Sequence, residues 1–139
     1  MKRKYLAVLV VPLLLLGCGK NYKAHPGAVD TFDSKTYDTL LIAQAGLDEA
    51  KQQFAIGKLP PASKNVINGA GNAYNLLRDA WNGYRAVKTA NASDPATEYV
   101  NQINALLPQV NQFIDDLTQL LGHKPKVQAF QPAMAWGGL

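Results

Sequence analysis

The sequence predicts an all-α protein, an antiparallel three-helix bundle preceded by a signal peptide and a flexible tether. Apolar residues recur at spacings of three and four in three separate stretches. Gly57 with Pro60-Pro61, and the run Asn91 to Pro95, divide those stretches with residues that interrupt helices. Three amphipathic segments of similar length joined by short turns favour antiparallel neighbours. The expected division is residues 1–17 signal peptide, 18–33 tether, 34–122 bundle and 123–139 tail.

The first helix is expected after Asp33 or Ser34, either a suitable N-cap, and runs to about Ile56. Leu40, Ala43, Leu47, Ala50 and Phe54 form its apolar stripe. Gly57 suits the position just past the helix, and Pro60-Pro61 prevents continuation. Ser63 can cap a second helix that reaches about Ala90. Its stripe is Ile67, Ala70, Tyr74, Leu77, Trp81 and Tyr84, widened by Val66, Ala73, Ala80 and Val87. Gly69, Gly71 and Gly83 each weaken this helix by about 1 kcal/mol relative to alanine. The third helix has Asp94 as N-cap, Pro95 in its first position and Glu98 near the positive end of its dipole. Tyr99, Ile103, Leu106, Val110, Phe113, Leu117 and Leu120 keep heptad spacing, beside Val100, Leu107, Ile114 and Leu121. Pro108 removes one backbone donor and should bend the helix, which Gly122 and Pro125 close. The tail after it carries Phe130, Met134 and Trp136, which could fill a groove or stay free.

Ahead of the bundle, Lys2-Arg3-Lys4 precedes an apolar run from Tyr5 to Leu16, broken only by Pro12. At about 1.5 Å per residue this run would reach only about 18 Å as a helix. A membrane span needs roughly 20 apolar residues, whereas a signal peptide needs fewer. Small residues follow at once, in Leu15-Leu16-Gly17-Cys18. That tetrapeptide resembles the lipobox of bacterial lipoproteins. The resemblance implies cleavage between Gly17 and Cys18, acylation of Cys18, and attachment to a membrane through the acyl chains. It also implies an outer-membrane address facing the periplasm if the bacterium has two membranes, because Gly19 replaces the aspartate associated with inner-membrane retention. Beyond the signal, the chain is loosely similar to small helical envelope lipoproteins without established activity. Cys18 is the one cysteine, so no disulfide can form within the chain. Gly19 to Asp33 reads as a coil spanning about 20 Å root-mean-square.

The formal charge of +4 overstates the basicity of the mature chain. Three of the fourteen lysines and arginines lie in Lys2-Arg3-Lys4, leaving eleven against ten acids. That balance supports no nucleic-acid partner, which requires a basic face or stripe. His25 and His123 stand apart and read as solvated, so no metal or other cofactor is expected. Asp48-Glu49 and Asp115-Asp116 are adjacent pairs, and neighbours on a helix point about 100° apart rather than converging. Ser34, Ser63 and Ser93 all stand at expected helix starts, where capping accounts for them. No catalytic residues are therefore assigned, and the protein is expected not to be an enzyme.

Two features admit a binding role. Asn65, Asn68, Asn72, Asn75 and Asn82 share one face of the second helix with Asp79, and Asn101, Asn104 and Asn111 form a shorter row on the third. Such amides suit glycan hydroxyls or peptide backbone, or simply make a hydrated exterior. Tyr74, Trp81 and Tyr84, with Trp136, could line a ligand groove or serve as core. Asn68, Asn72, Asn75, Trp81 and Tyr84 are the candidate binding face. The expected function is a lipid-anchored, non-enzymatic interaction or structural module engaging another envelope protein or the cell wall. The alternative is a carrier or sensor that binds a small apolar or glycan ligand between its helices. A cavity lined by Trp81, Tyr84 and Phe113 would favour that alternative.

Overall fold

A computed structural model describes residues 23–127. Three helices account for most of them: α1 (Thr31–Ala55), α2 (Ser63–Ala90) and α3 (Thr97–Leu121). Every pair of helices is in contact, as in a three-helix bundle. The register is antiparallel between α1 and α2, where Asp33 meets Trp81 and Gln44 meets Tyr74. It is antiparallel again between α2 and α3, where Gly83 faces Tyr99 and Gly69 faces Phe113.

The apolar stripes become the core. Leu40, Ala43, Leu47 and Ala50 of α1 are buried, as are Ile67, Ala70, Leu77, Trp81 and Tyr84 of α2. Ile103, Val110 and Leu117 of α3 complete the interior. They fall into a larger cluster around Leu77, Trp81 and Ile103 and a smaller one around Leu47, Ile67 and Leu117. At roughly 1.5–3 kcal/mol for each large apolar side chain, this burial is the main favourable contribution to folding.

Helix ends show where local signals succeed and fail. After α1, Gly57 has φ +73°, its N–H donates to the Phe54 carbonyl at 3.0 Å, and Lys58 N–H reaches the Gln53 carbonyl at 2.9 Å. This is a Schellman closure, in which a left-handed glycine satisfies the last carbonyls. Gly122, at φ +76°, ends α3 in a similar left-handed conformation. The starts differ from expectation. α1 begins at Thr31, capped by Asp30, whose side chain accepts from Asp33 N–H at 2.9 Å. Asp33 and Ser34, expected as caps, lie inside the helix and are fully buried. Ser34 Oγ instead accepts the His25 backbone N–H at 2.9 Å.

Capping accounts for neither of the other serines. Ser63 is buried at the start of α2 with its hydroxyl unpaired, and Ser93 lies in the exposed turn before α3. That third helix starts two residues beyond Pro95. Asp94 Oδ1 takes the Ala96 N–H at 2.7 Å, and Ala96 itself sits left-handed at φ 47°. The Ala96 carbonyl then accepts the first helical bond, from Val100 at 3.0 Å. A left-handed alanine costs roughly 1–2 kcal/mol, offset here by its burial and the aspartate bond. α3 continues unbroken through Pro108. Pro108 and Asn104 are both exposed, so water can serve the carbonyl that the missing N–H would have met.

Candidate functional site

Cys18 and Gly17 lie outside the described residues, as does the tail from residue 128. The remaining residues of the candidate face divide between two sides of α2. Asn65, Asn68, Asn72, Asn75 and Asp79 are exposed along its outer side, with Asn82 half-buried. Trp81 and Tyr84 point the other way, into the core, at 1% and 4% exposure. They therefore share no surface with the amides. At about 100° per residue the two sets lie about half a turn apart on the helix, and packing buries the aromatic side.

Trp81 and Tyr84 belong to a polar cluster at the end of the bundle where α1 begins and α2 finishes. Asp33 is completely buried, and its carboxylate collects donors from three directions. Oδ1 accepts Trp81 Nε1–H at 2.6 Å, Oδ2 accepts Val29 N–H at 2.8 Å, and Arg85 Nε lies 3.5 Å from Oδ2. Burial nevertheless raises the Asp33 pKa above its ordinary value, against the opposing pull of the Val29 bond and the Arg85 charge. The Arg85 guanidinium sits over the Trp81 ring at 5.2 Å and donates to the Gly27 carbonyl at 3.3 Å. Tyr84 O–H donates to Asp30 Oδ2 at 2.5 Å. Burial, the Asp30 bond and the nearby carboxylates all push the Tyr84 phenol far above its usual range. Ring contacts surround the polar groups: Tyr37 stacks on Trp81 at 5.6 Å, and Phe32 meets Tyr84 edge-on at 5.2 Å.

This cluster revises the picture of the tether. Asp30 and Val29 are bonded into it, and Gly27 is held by Arg85. His25 is not a solvated histidine: its Nε2 lies 2.5 Å from Asp38 Oδ1 and its ring meets Tyr37 edge-on. Of the described residues of the expected tether, 23–33, the last three belong to α1, and the segment from His25 to Asp30 is strapped against the start of that helix. His123 is likewise paired, with Nε2 3.0 Å from Glu49 Oε1, which brings the chain after α3 back along α1. Pro125 follows, close enough that a Cβ on Gly46 would approach its Cγ to 3.0 Å.

Among the described residues, no group of three or more His, Cys, Asp or Glu converges as metal ligands would. The adjacent acids keep separate surroundings. Asp48 and Asp115 are exposed, while Glu49 accepts from Gln53 and Asp116 from Gln112 along their own helices. An open groove of about 500 Å³ runs between α2 and α3, bordered by Leu76, Asp79, Ala80, Tyr99, Gln102 and Leu106. No described helix is long and apolar enough to cross a membrane.

No protein-family model, curated protein or solved structure matches the chain.

The residues that periodicity missed are Asp30, Asp33, His25, Asp38 and Arg85. One signal was present: Asp33 lies four residues before Tyr37, in line with the α1 apolar stripe. An acid on a core stripe marks a buried, partnered carboxylate. Its side-chain partners Trp81 and Arg85, 48 residues away or more, carry no local sign.

Proposed function

We propose that the protein is a lipoprotein of the bacterial cell envelope, anchored by acyl chains on Cys18, whose bundle is a non-enzymatic interaction or structural module. The observation that carries the module reading is how the aromatics of α2 are used. Trp81 and Tyr84 are buried and hydrogen-bonded to Asp33 and Asp30, which makes them structural parts rather than the lining of an internal ligand chamber. The exterior of α2 then offers Asn65, Asn68, Asn72 and Asn75 as uncharged donors and acceptors for a wall glycan or another envelope protein.

Acylation supplies the hold on the membrane, at about 0.8 kcal/mol per buried CH₂. If there are two membranes, Gly19 after the cysteine favours the outer one, facing the periplasm. The first test is the intact mass of protein extracted from membranes, beside a Cys18→Ala variant. A mass starting at Cys18 with acyl groups added, and lost in the variant, supports the anchor. A mass starting elsewhere without lipid rejects it. Replacing Asn68, Asn72 and Asn75 together with alanine should abolish retention on purified wall glycan while leaving the melting temperature within a few degrees. Unchanged retention rejects the amide row as the binding face.

A further inference from the structure

The strapping of His25 to Asp30 removes most of the slack between anchor and bundle. His25 is fixed beside Ser34 and Asp38, in the first two turns of α1, and only seven peptide steps separate it from Cys18. Fully extended, those steps reach about 24 Å; as flexible coil they average about 15 Å. α1 itself, at 25 residues, is about 37 Å long. The tether is therefore shorter than the bundle it holds. The end formed by the start of α1 and the Asn91–Ala96 turn must stay near the bilayer.

We infer that the bundle stands end-on at the membrane, with the Asn91–Ala96 turn facing the lipid surface and the Ile56–Ala62 turn outermost; this rests on acylation of Cys18. No side of the bundle is built to lie on lipid. A helix that rests in the interface needs an apolar face flanked by cations. Among the described residues the exposed large apolar side chains are Ile42, Ile56, Leu76 and Val127, scattered over different segments. Besides the buried Asp33, α1 carries three acids and two lysines, and α3 carries three acids and no lysine or arginine, so anionic headgroups repel both. The cations of α2 are largely engaged within the molecule. Arg85 is held by Asp33 and Gly27, Lys88 donates to the Ala92 and Asp94 carbonyls, and Arg78 sits over Tyr74.

The orientation bears on which partners can be reached. α2 starts at the outer turn, so Asn65, Asn68, Asn72 and Asn75 occupy its outer half. A partner that engages them stands off the bilayer instead of lying in its plane.

The test uses the full acylated protein in vesicles of phosphatidylcholine and phosphatidylglycerol carrying a headgroup-linked energy acceptor. A donor dye is placed on Ser93→Cys or on Lys58→Cys, exposed sites in the inner and outer turns. The Ser93→Cys donor should lose most of its emission and the Lys58→Cys donor should keep most of its own. Inserting eight Gly/Ser residues between Asn21 and Tyr22 should restore much of the emission at Ser93→Cys. Equal transfer from both sites, stronger transfer from Lys58→Cys, or no response to the insertion would overturn the end-on arrangement in a protein that still floats with vesicles. A protein that carries no acyl mass and does not float would overturn the anchor reading, and this inference with it.

Discussion

Gly83 lies where the Tyr99 ring packs against the backbone of α2, and a Cβ there would come within 2.1 Å of the ring. Gly69 makes the same kind of room for Phe113, at 2.8 Å. Helix propensity alone ranks these two glycines with Gly71 as weak points, but only Gly71 faces open space. Gly71→Ala should therefore stabilise the protein by up to about 1 kcal/mol. Gly83→Ala should destabilise it by about 1–3 kcal/mol through overpacking, despite its better propensity. Denaturant midpoints of the two variants would show opposite shifts. Asp33 is the second residue whose role depends on neighbours. In Asp33→Asn an amide N–H₂ would have to replace an oxygen that accepts Val29 N–H and faces Arg85. A loss of about 1–3 kcal/mol at neutral pH is expected. The wild-type carboxyl has a raised pKa, so the folded state holds its proton more tightly than the unfolded state. Its contribution is fullest below the ordinary carboxylate pKa and declines as pH rises through the raised value. The deficit of Asp33→Asn should accordingly widen on acidification, as read from urea midpoints over a pH series.

Among the elements, helix ends that rely on glycine and the start of α2 near Ser63 were legible in the sequence, whereas the starts of α1 and α3 were not. Gly57 closes α1 because its φ of +73° is open to glycine and strained for other residues. Gly57→Ala leaves free space around the new methyl, so its expected cost, about 1 kcal/mol, comes from backbone strain alone. Thermal unfolding would show the loss, and no contact elsewhere should change. At the starts, Asp33, Ser34, Ser63 and Asp94 all had suitable capping side chains, yet only Asp30 caps through its side chain. Several residues near a boundary can cap, and the one that does is decided by which of them the bundle buries. Asp33 and Ser34 point inward, toward Trp81 and the backbone of His25, and so are unavailable. Pro108 shows the reverse: its place inside α3 could be read directly, and its exposure makes it tolerable. Pro108→Ala should raise the melting temperature by restoring a backbone donor.

For the whole molecule, burial raises the phenol pKa of Tyr37, Tyr74 and Tyr84 above the ordinary value of 10.0. Above that pH the folded state retains protons that the unfolded chain has lost. Stability should therefore be level on this account below pH 10 and fall as pH rises beyond it. Tyr84→Phe should flatten part of that fall, which denaturant unfolding from about pH 8 to about pH 11 would reveal. The sequence by itself determined three helices, their approximate ends and their apolar faces, because spacing along a helix and Gly/Pro interruption are local properties. It also carried the lipobox-like Leu15 to Cys18, a motif of contiguous residues. Tertiary structure alone decided that Trp81 and Tyr84, on the apolar stripe, are hydrogen-bonded to Asp33 and Asp30. It alone turned the segment from His25 to Asp30 from slack into a strap. The physical reason is distance along the chain: besides contacts to α1 only 4 to 13 positions apart, the strap is held by Tyr84 and Arg85, 54 and 58 positions away, and only packing of α1 on α2 brings those two within hydrogen-bonding range.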